Sequence, residues 1–511
     1  MAPSHNSVER EVKLSAQPAF ILPDLGDEES GLSHEMLTER TLTAIYWDTA
    51  DLRLTRSGNS LRHRSSTDGA ENGWTVKLAE DGAGPVLSRR EVTFDGAPGH
   101  PPVPAVSLVR AVARGASLVP VGKLVTRRRR SHVLDGDGRP VLEIDDDEVS
   151  VYEGRRVASR FREVEVELDP GAGADTTLLD GVVKRLRVAG AGRPDPTPKI
   201  VRALGARALA PPEVVAPQVD AKSTIGDVIR AAIANGVGRW LHHDPGVRLG
   251  DDDEDVHQAR VATRRLRSDL RTFASLLDPT WLAGVRDELA WAGNELGRVR
   301  DADVLYGRLR GQAGALPAAD TRASATVLRK LSAEREVARS ELLAAMDTPR
   351  YVALLDRLVQ AAVAVPFGPD ADPERPAVDV LPGLVLRPWR HLAKAVGGLG
   401  ADPPDAALHE VRKRAKKARY AAEAAIAVVG KDARRLARAV AGVQEVLGEL
   451  QDAVVAEQWL RSLSTHGASA ERAFVAGQLC AMQQGLIDAA RVAWRPAWTA
   501  ADAKKLRSWL A

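Results

Sequence analysis

The segment Arg162-Glu163-Val164-Glu165-Val166-Glu167-Leu168 limits the fold more than any other stretch of the chain. In an extended strand, successive side chains point to opposite faces. Glu163, Glu165 and Glu167 therefore share one face, and Val164, Val166 and Leu168 share the other. Glu9-Arg10-Glu11-Val12-Lys13 repeats the pattern, with Glu9, Glu11 and Lys13 together and Arg10 and Val12 opposite. If a covering layer buries the apolar set, the charged set must line an interior or a cleft. Clustered carboxylates repel one another and cost stability unless cations sit among them.

Such cations are expected to recur with spacing two on other strands: Arg62 and Arg64, Lys77, Arg89, the run Arg127–Arg130, and Lys199. Carboxylate oxygens suit Mg²⁺ or Mn²⁺, and guanidinium and ammonium groups suit a polyanion. Phosphoryl transfer needs that combination, because its catalysis is mostly positioning and charge neutralisation. One Glu-x-Glu-x-Lys alone is more often a solvated strand face, and four consecutive arginines alone could be a nucleic-acid patch. Recurrence over five or more segments points instead to a charged interior.

The charged segments belong to a longer alternating series. Val8–Leu14, Thr43–Trp47, Ser60–Arg64, Gly73–Leu78, Val125–Val133, Val141–Ile144 and Phe161–Leu168 read as strands, and Thr176–Ala189 as a helix. Turn clusters such as Arg56-Ser57-Gly58-Asn59 and Asp135-Gly136-Asp137-Gly138 separate them. This spacing predicts a sheet closed into a barrel.

Taken in order, these residues resemble the CYTH superfamily, the triphosphate tunnel metalloenzymes. The resemblance runs through Glu9-x-Glu11-x-Lys13, Tyr46-Trp47-Asp48-Thr49, Leu61-Arg62-His63-Arg64, Thr75-Val76-Lys77, Arg89-Arg90-Glu91, the arginine run, Glu143-Ile144-Asp145, Glu163-x-Glu165-x-Glu167 and Lys199, and spans residues 5–205. It implies an eight-stranded antiparallel β-barrel whose tunnel binds a triphosphate. It further implies that Glu9, Glu11, Glu165 and Glu167 hold Mg²⁺ or Mn²⁺. Lys13, Arg62, Arg64, Lys77, Arg89, Arg128, Arg130 and Lys199 would grip phosphates. Glu9, Glu11, Lys13 and Glu165 would be catalytic, a water activated by metal and carboxylate attacking the terminal phosphoanhydride. Four arginines in a row leave the inward parity open, and Arg128 and Arg130 are expected to be the inward pair. His63, between Arg62 and Arg64, is expected to point outward and take no part in the chemistry.

A chain of 511 residues exceeds one core. The Pro- and Ala-rich stretch Ala208–Val219 marks a boundary, with a linker at 206–222, and from Ser223 the periodicity is helical. Inside this helical domain, 223–505, His257-x-x-Arg260-x-x-x-Arg264-Arg265-x-Arg267 recurs as His409-x-x-Arg412-x-x-x-Lys416-Lys417-x-Arg419, at a constant offset of 152. Leu296-Gly297-Arg298-Val299-Arg300-Asp301 recurs as Leu447-Gly448-Glu449-Leu450-Gln451-Asp452, at an offset of 151. Two similar halves follow, about 223–365 and 383–505, joined by the proline-rich Pro366–Pro382. The expected fold class is thus α+β multidomain.

On a helix, His257, Arg260, Arg264 and Arg267 form one stripe, as do His409, Arg412, Lys416 and Arg419. Like charges at helical neighbours are mildly destabilising, so two such stripes ask for an anionic partner. Neither histidine has a second ligand at zinc spacing. These motifs resemble the CHAD domain, a duplicated helical fold, and the resemblance implies polyphosphate binding in a basic channel between the halves. Nucleic acid is not expected, because aromatics for stacking make up only 4% of the chain.

The expected function is hydrolysis of inorganic triphosphate by the barrel, with polyphosphate recruited by the helices. An adaptor with little turnover, and an enzyme for an organic triphosphate (thiamine triphosphatase or adenylate cyclase), are the alternatives. The net charge of +2 identifies no partner, and a single cysteine, Cys480, excludes a disulfide framework. The charged N-terminus and the absence of a long apolar run predict a cytoplasmic protein with no membrane partner, and association with polyphosphate granules is an option the basic helices open.

Overall fold

The computed structural model describes residues 5–27, 31–80, 87–169, 176–464 and 469–510. The chain divides into two compact units, Met1–Glu213 and Val214–Ala511.

The first unit holds nine strands: β1 (His5–Ala16), β2 (Ser33–Met36), β3 (Arg40–Asp48), β4 (Ser60–Ser66), β5 (Gly73–Ala79), β6 (Leu87–Phe94), β7 (Val119–Leu134), β8 (Pro140–Glu153) and β9 (Arg156–Leu168). Their order is β2-β7-β3-β4-β5-β6-β1-β9-β8, and β8 also pairs with β7. That last pairing closes an eight-stranded antiparallel barrel, with β2 attached to the far end of β7. Helices α1 (Arg53–Arg56), α2 (Val103–Ala113), α3 (Thr176–Val188) and α4 (Lys199–Leu204) complete it.

Two strands lie outside the segments read from periodicity, β2 and β6. The short segment Val141–Ile144 is the start of the 14-residue β8. Aspartates are poor strand formers, so Asp145-Asp146-Asp147-Glu148 reads locally as a break. In the barrel each of these acids stands directly opposite one arginine of the run Arg127–Arg130 on β7, which supplies the missing stabilisation.

The covering layer over the apolar faces of β1, β8 and β9 is α3. Val12, Leu14, Leu142, Ile144, Val164 and Val166 are buried against its Leu179, Val182 and Leu186. Each such side chain contributes roughly 1.5–3 kcal/mol by leaving water. With one face of these strands committed outward to α3, the glutamate face turns into the barrel. Lys199 is not on a strand but opens α4, whose Ile200 and Val201 are buried with Ala44, Tyr46 and Leu124.

Residues 206–213, read above as linker, are tied to the barrel. The Arg56 guanidinium donates to the Pro211 carbonyl at 2.6 and 2.9 Å, and Arg114 pairs with Glu213.

The second unit is helical: α5 (Ile225–Leu249), α6 (Asp253–Thr272), α7 (Pro279–Ala313), α8 (Thr321–Met346), α9 (Pro349–Val363), α10 (Ala377–Gly397), α11 (Asp405–Ala424), α12 (Ile426–Val429), α13 (Lys431–Ser464) and α14 (Ala470–Ala501). Helices α5 to α8 pack in succession, as do α10, α11, α13 and α14, and α6 also packs against α11. The 152-residue offset therefore relates α6 to α11, and the 151-residue offset relates α7 to α13. The connection between halves is shorter than Pro366–Pro382, because α10 begins at Ala377. Pro382 sits within it; the hydrogen bond it forfeits is offset by burial of Ala377, Leu381 and Val385. No helix among the described residues is long and apolar enough to cross a membrane.

Helices α5 and α6 meet where Gly236 lies on Leu266. A Cβ at Gly236 would fall 2.6 Å from the fully buried Leu266 side chain. Alanine gains up to about 1 kcal/mol of helix propensity, but overpacking costs about 1–3 kcal/mol. Gly236→Ala is therefore expected to lower the unfolding temperature of the helical unit in calorimetry. An unchanged or higher temperature would show that Leu266 can move aside.

Candidate active site and basic helical face

The barrel encloses a cavity of about 260 Å³. Its basic lining is Lys13 from β1, Arg62 and Arg64 from β4, Lys77 from β5, Arg89 from β6, Arg128 and Arg130 from β7, and Lys199 from α4. Its acidic lining is Glu11, Glu165 and Glu167, joined by Glu71, Glu91, Glu143 and Asp145, with Tyr46 and Ser60 between. Glu9 stands opposite Arg89 in the β1–β6 register, but its side chain lies outside the described residues.

The arginine run alternates as a strand must. Arg128 and Arg130 point into the cavity. Arg127 and Arg129 point away and pair with Glu148 at 2.8 Å each. His63 is buried outside the cavity, edge-on to Trp74 at 5.2 Å. Burial holds its pKa below the usual histidine value.

Charges on this inner face are buried, and a buried charge costs several kcal/mol unless it is paired. Lys13 pairs with Glu165, and with Glu11 at 3.2 Å. Glu165 also receives Lys199 at 2.7 Å and Arg128 at 3.3 Å. Arg128 grips Asp147 with two bonds, 2.8 and 2.6 Å, and pairs with Asp145. Lys199 reaches Asp147 at 2.9 Å and Glu163 at 3.0 Å. Burial alone would raise the Glu165 pKa, but Lys13, Lys199 and Arg128 overcome it and hold the carboxyl well below its ordinary value. At Asp147 burial is likewise overcome by Arg128 and Lys199, bringing the pKa to about 2. Burial opposes the charge on Lys199 too, yet Asp147, Glu165 and Glu163 raise its pKa well above that of free lysine. Glu163 differs: burial dominates, and its pKa is raised.

The two walls differ in sign. Strands β4, β5 and β6 present Arg62, Arg64, Lys77 and Arg89. Glu91 pairs there with Lys77 at 2.8 Å and Arg62 at 3.9 Å. Burial lowers the Arg64 pKa, neighbouring Arg62 and Arg128 lower it further, and the paired Glu71 offsets part of this. The Tyr46 hydroxyl accepts from Arg62 at 3.4 Å.

Strands β1, β9 and β8 present the acids. Glu11, Glu167 and Glu143 stand directly opposite one another across these three neighbouring strands. Like charges in that position are destabilising, and a divalent cation would relieve them. Among the described residues no three His, Cys, Asp or Glu side chains are arranged to hold a metal ion. The donor chemistry nevertheless fits Mg²⁺ or Mn²⁺, with the adjacent Glu11 and Glu167 as the oxygen pair.

Sequence reading missed Asp147, Glu163 and Glu71 as parts of this arrangement. Continuing the period-two pattern from Glu143 and Asp145 reaches Asp147. Glu163 was on the right face, but its role in holding Lys199 needs the fold. Glu71 sits in the turn between β4 and β5 and carries no periodic signal.

In the helical unit, Lys416 of α11 is enclosed by like charges. Burial comes first, then Arg264, Arg412, Arg260 and Arg267, and together they lower its pKa to about 7. The stripes of α6 and α11 thus face each other. Arg260 pairs with Asp301 at 2.6 Å and Arg412 with Asp452 at 4.0 Å, matching the repeat. The two guanidinium groups lie against Gly297 of α7 and Gly448 of α13, which are also equivalent in the repeat. Asp303 pairs elsewhere, with Arg335. His257, Arg264 and Arg419 line a cavity of about 780 Å³, where Arg264 donates to the Tyr420 hydroxyl at 2.7 Å and Arg419 bonds Glu423 at 2.7 Å. Burial, then Arg300, lowers the His257 pKa. His409 is half-buried, its Nδ1 without a hydrogen-bond partner.

Asp147 gives a test of the barrel network. A carboxyl held below its unfolded pKa adds stability that is present above that value and lost as pH falls through the folded value. Asp147→Asn is therefore expected to cost about 2 kcal/mol or more at pH 7. The gap from wild type should narrow as pH falls from about 4 toward about 2. Denaturant melts across that range check it, and a pH-independent gap would contradict the assigned pairing.

The sequence matches the family models for the CYTH domain over residues 7–191 and the CHAD domain over residues 231–461. The uncharacterized proteins MT2285 and Rv2226, from two strains of Mycobacterium tuberculosis, are each 30% identical over 509 residues, covering 95% of this chain and 94% of theirs. Among solved structures, PptA from Streptomyces chartreusis is 27% identical, covering 54% of this chain and 100% of its own, with a TM-score of 0.45. The CHAD domain from the plant Ricinus communis is 28% identical, covering 56% and 95%, with a TM-score of 0.45. On the domain matches and the full-length relatives, the chain belongs to the family that joins a CYTH domain to a CHAD domain.

Proposed function

We propose that the CYTH barrel hydrolyses inorganic triphosphate (tripolyphosphate) with Mg²⁺ or Mn²⁺, and that the CHAD helices bind polyphosphate. The supporting observation is the division of the barrel cavity into a basic wall on β4–β6 and an acidic wall on β1, β8 and β9. A site built only to bind a polyanion would need the first wall and not the second, which favours the enzyme over the adaptor.

Arg62, Arg64, Lys77 and Arg89 hold the phosphates along one side, and Lys13, Arg128, Arg130 and Lys199 approach from the other. Glu11 and Glu167, with Glu9 from the same strand motif, are the residues that would hold the metal. A divalent ion bound there supplies charge neutralisation and a lowered pKa for the attacking water. Glu165 has its oxygens engaged by three cations and a depressed pKa, which makes it a poor proton acceptor. Its part is to hold Lys13, Lys199 and Arg128 in place, with Asp147 and Glu163 completing that support.

For the helices, the facing stripes leave Lys416 among four arginines, and a chain of phosphates would relieve that repulsion. The polyanion favours the charged amine, so binding raises the Lys416 pKa from about 7 and takes up a proton near neutrality.

Phosphate release by the purified protein from tripolyphosphate, ATP and thiamine triphosphate, with Mg²⁺, Mn²⁺ or EDTA, tests the enzyme. Metal-dependent release from tripolyphosphate above the others is expected, and no release from any of them would leave the adaptor. Lys13→Ala should lower kcat/KM more than about tenfold, since it unpairs buried carboxylates and removes a phosphate contact. Reversing Arg264 and Lys416 to Glu together should abolish polyphosphate retention by the full chain. Affinity should strengthen as pH falls from about 8 to about 6, with proton uptake in calorimetry that Lys416→Met reduces. Retention by the double variant, or undiminished uptake in Lys416→Met, would refute the basic-channel assignment.

A further inference from the structure

Glu71 differs from every other acid of the barrel cavity because a turn delivers it. Residues 67–72 join β4 to β5. The Ser66 N–H donates to Asn72 Oδ1 at 2.9 Å, and the Glu71 N–H donates to Ser66 Oγ at 3.0 Å, which fixes the turn. The Glu71 carboxylate then enters the cavity among three guanidinium groups. It lies 3.3 Å from Arg40 and 3.4 Å from Arg130, and pairs with Arg64. Three arginines around one carboxylate form an anion site that the protein fills with its own side chain.

The position of that site along the barrel matters. Strand β3 carries Arg40 at one end and Tyr46 six residues further on. Tyr46 is buried with Ile200 of α4, and Ile200 and Lys199 line the cavity at that level. Six residues at about 3.3 Å each, on a strand tilted about 40° to the barrel axis, put the two levels about 15 Å apart along the barrel. Helix α4 thus bounds the cavity at one end and Glu71 at the other.

We propose, resting on the triphosphatase reading above, that Glu71 sets the chain length this tunnel accepts. A triphosphate lies between α4 and Glu71. A longer linear polyphosphate must carry its next phosphate past Arg64 and Arg130 toward Arg40, where the Glu71 carboxylate stands in the way and repels it. The barrel therefore discriminates against the polymer and acts on short chains.

The test compares wild type with Glu71→Gln, which keeps the size and removes the charge, using tripolyphosphate, tetrapolyphosphate and a long linear polyphosphate. The ratio of kcat/KM for the longer chains to that for tripolyphosphate should rise at least about tenfold, as expected when a like charge is removed from a binding site. A purely structural role for Glu71 would not change this ratio. An unchanged ratio in a folded variant overturns the proposal, and Glu71→Ala serves if the Gln variant does not fold. If neither protein releases phosphate from any chain, the hydrolase reading fails by itself. Calorimetric binding of tripolyphosphate and tetrapolyphosphate then decides, with the barrel's share taken as that lost in Lys13→Ala. A Glu71→Gln variant with the wild-type preference between the two chains would overturn the proposal on that readout.

Discussion

Neutralisation of inward-pointing charge is the condition on which the barrel depends. Arg127, Arg128, Arg129 and Arg130 on β7 stand opposite Glu148, Asp147, Asp146 and Asp145 on β8. Either run alone would be a poor strand, one from repulsion and the other from low strand propensity. Placed in register they close the barrel, since the β7–β8 pairing is what turns an open sheet into a ring. The same pairs divide by parity. Arg127 and Arg129 with their partners cover the outside, while Arg128, Asp145 and Asp147 form part of the buried network beside the cavity.

That network shows how the site is held. Buried ion pairs give little net stability compared with apolar packing, because desolvation consumes most of the Coulomb gain. Stability here comes from the apolar faces under α3 and α4. The paired charges fix direction instead. Lys199 is held by three carboxylates and Lys13 by two, so their ammonium groups sit at defined points inside the barrel. Positioned cations are what phosphoryl transfer requires of a protein.

The helical unit meets the same problem differently. Its stripes face each other with fewer acids between them, and the result is the depressed pKa of Lys416. Where the barrel satisfies most of its cations internally, α6 and α11 leave repulsion that an external polyanion can relieve. The first arrangement favours a rigid site with few accessible geometries. The second favours a linear ligand held by many weak contacts.

Much of this was legible in order along the chain. Alternation at Glu163–Leu168 announced a strand with a charged inner face, and the constant offset of 152 announced two similar helical halves. Both are local or self-similar patterns, which one dimension carries in full. Tertiary structure decided the rest, because each remaining feature depends on a partner distant in sequence. The parity of the arginine run was settled by where β7 closes on β8. The strand character of Asp145–Glu148 came from those same arginines. Residues 206–213 proved part of the barrel because Arg56 and Arg114 reach them. Asp147 and Glu163 acquired a role only when α4 brought Lys199 beside them, and Glu71 only when its turn folded in among three arginines. Sequence alone thus determined which faces carry charge, and the closed barrel determined which opposite charges meet, because pairing across strands is set by register and closure rather than by spacing along the chain.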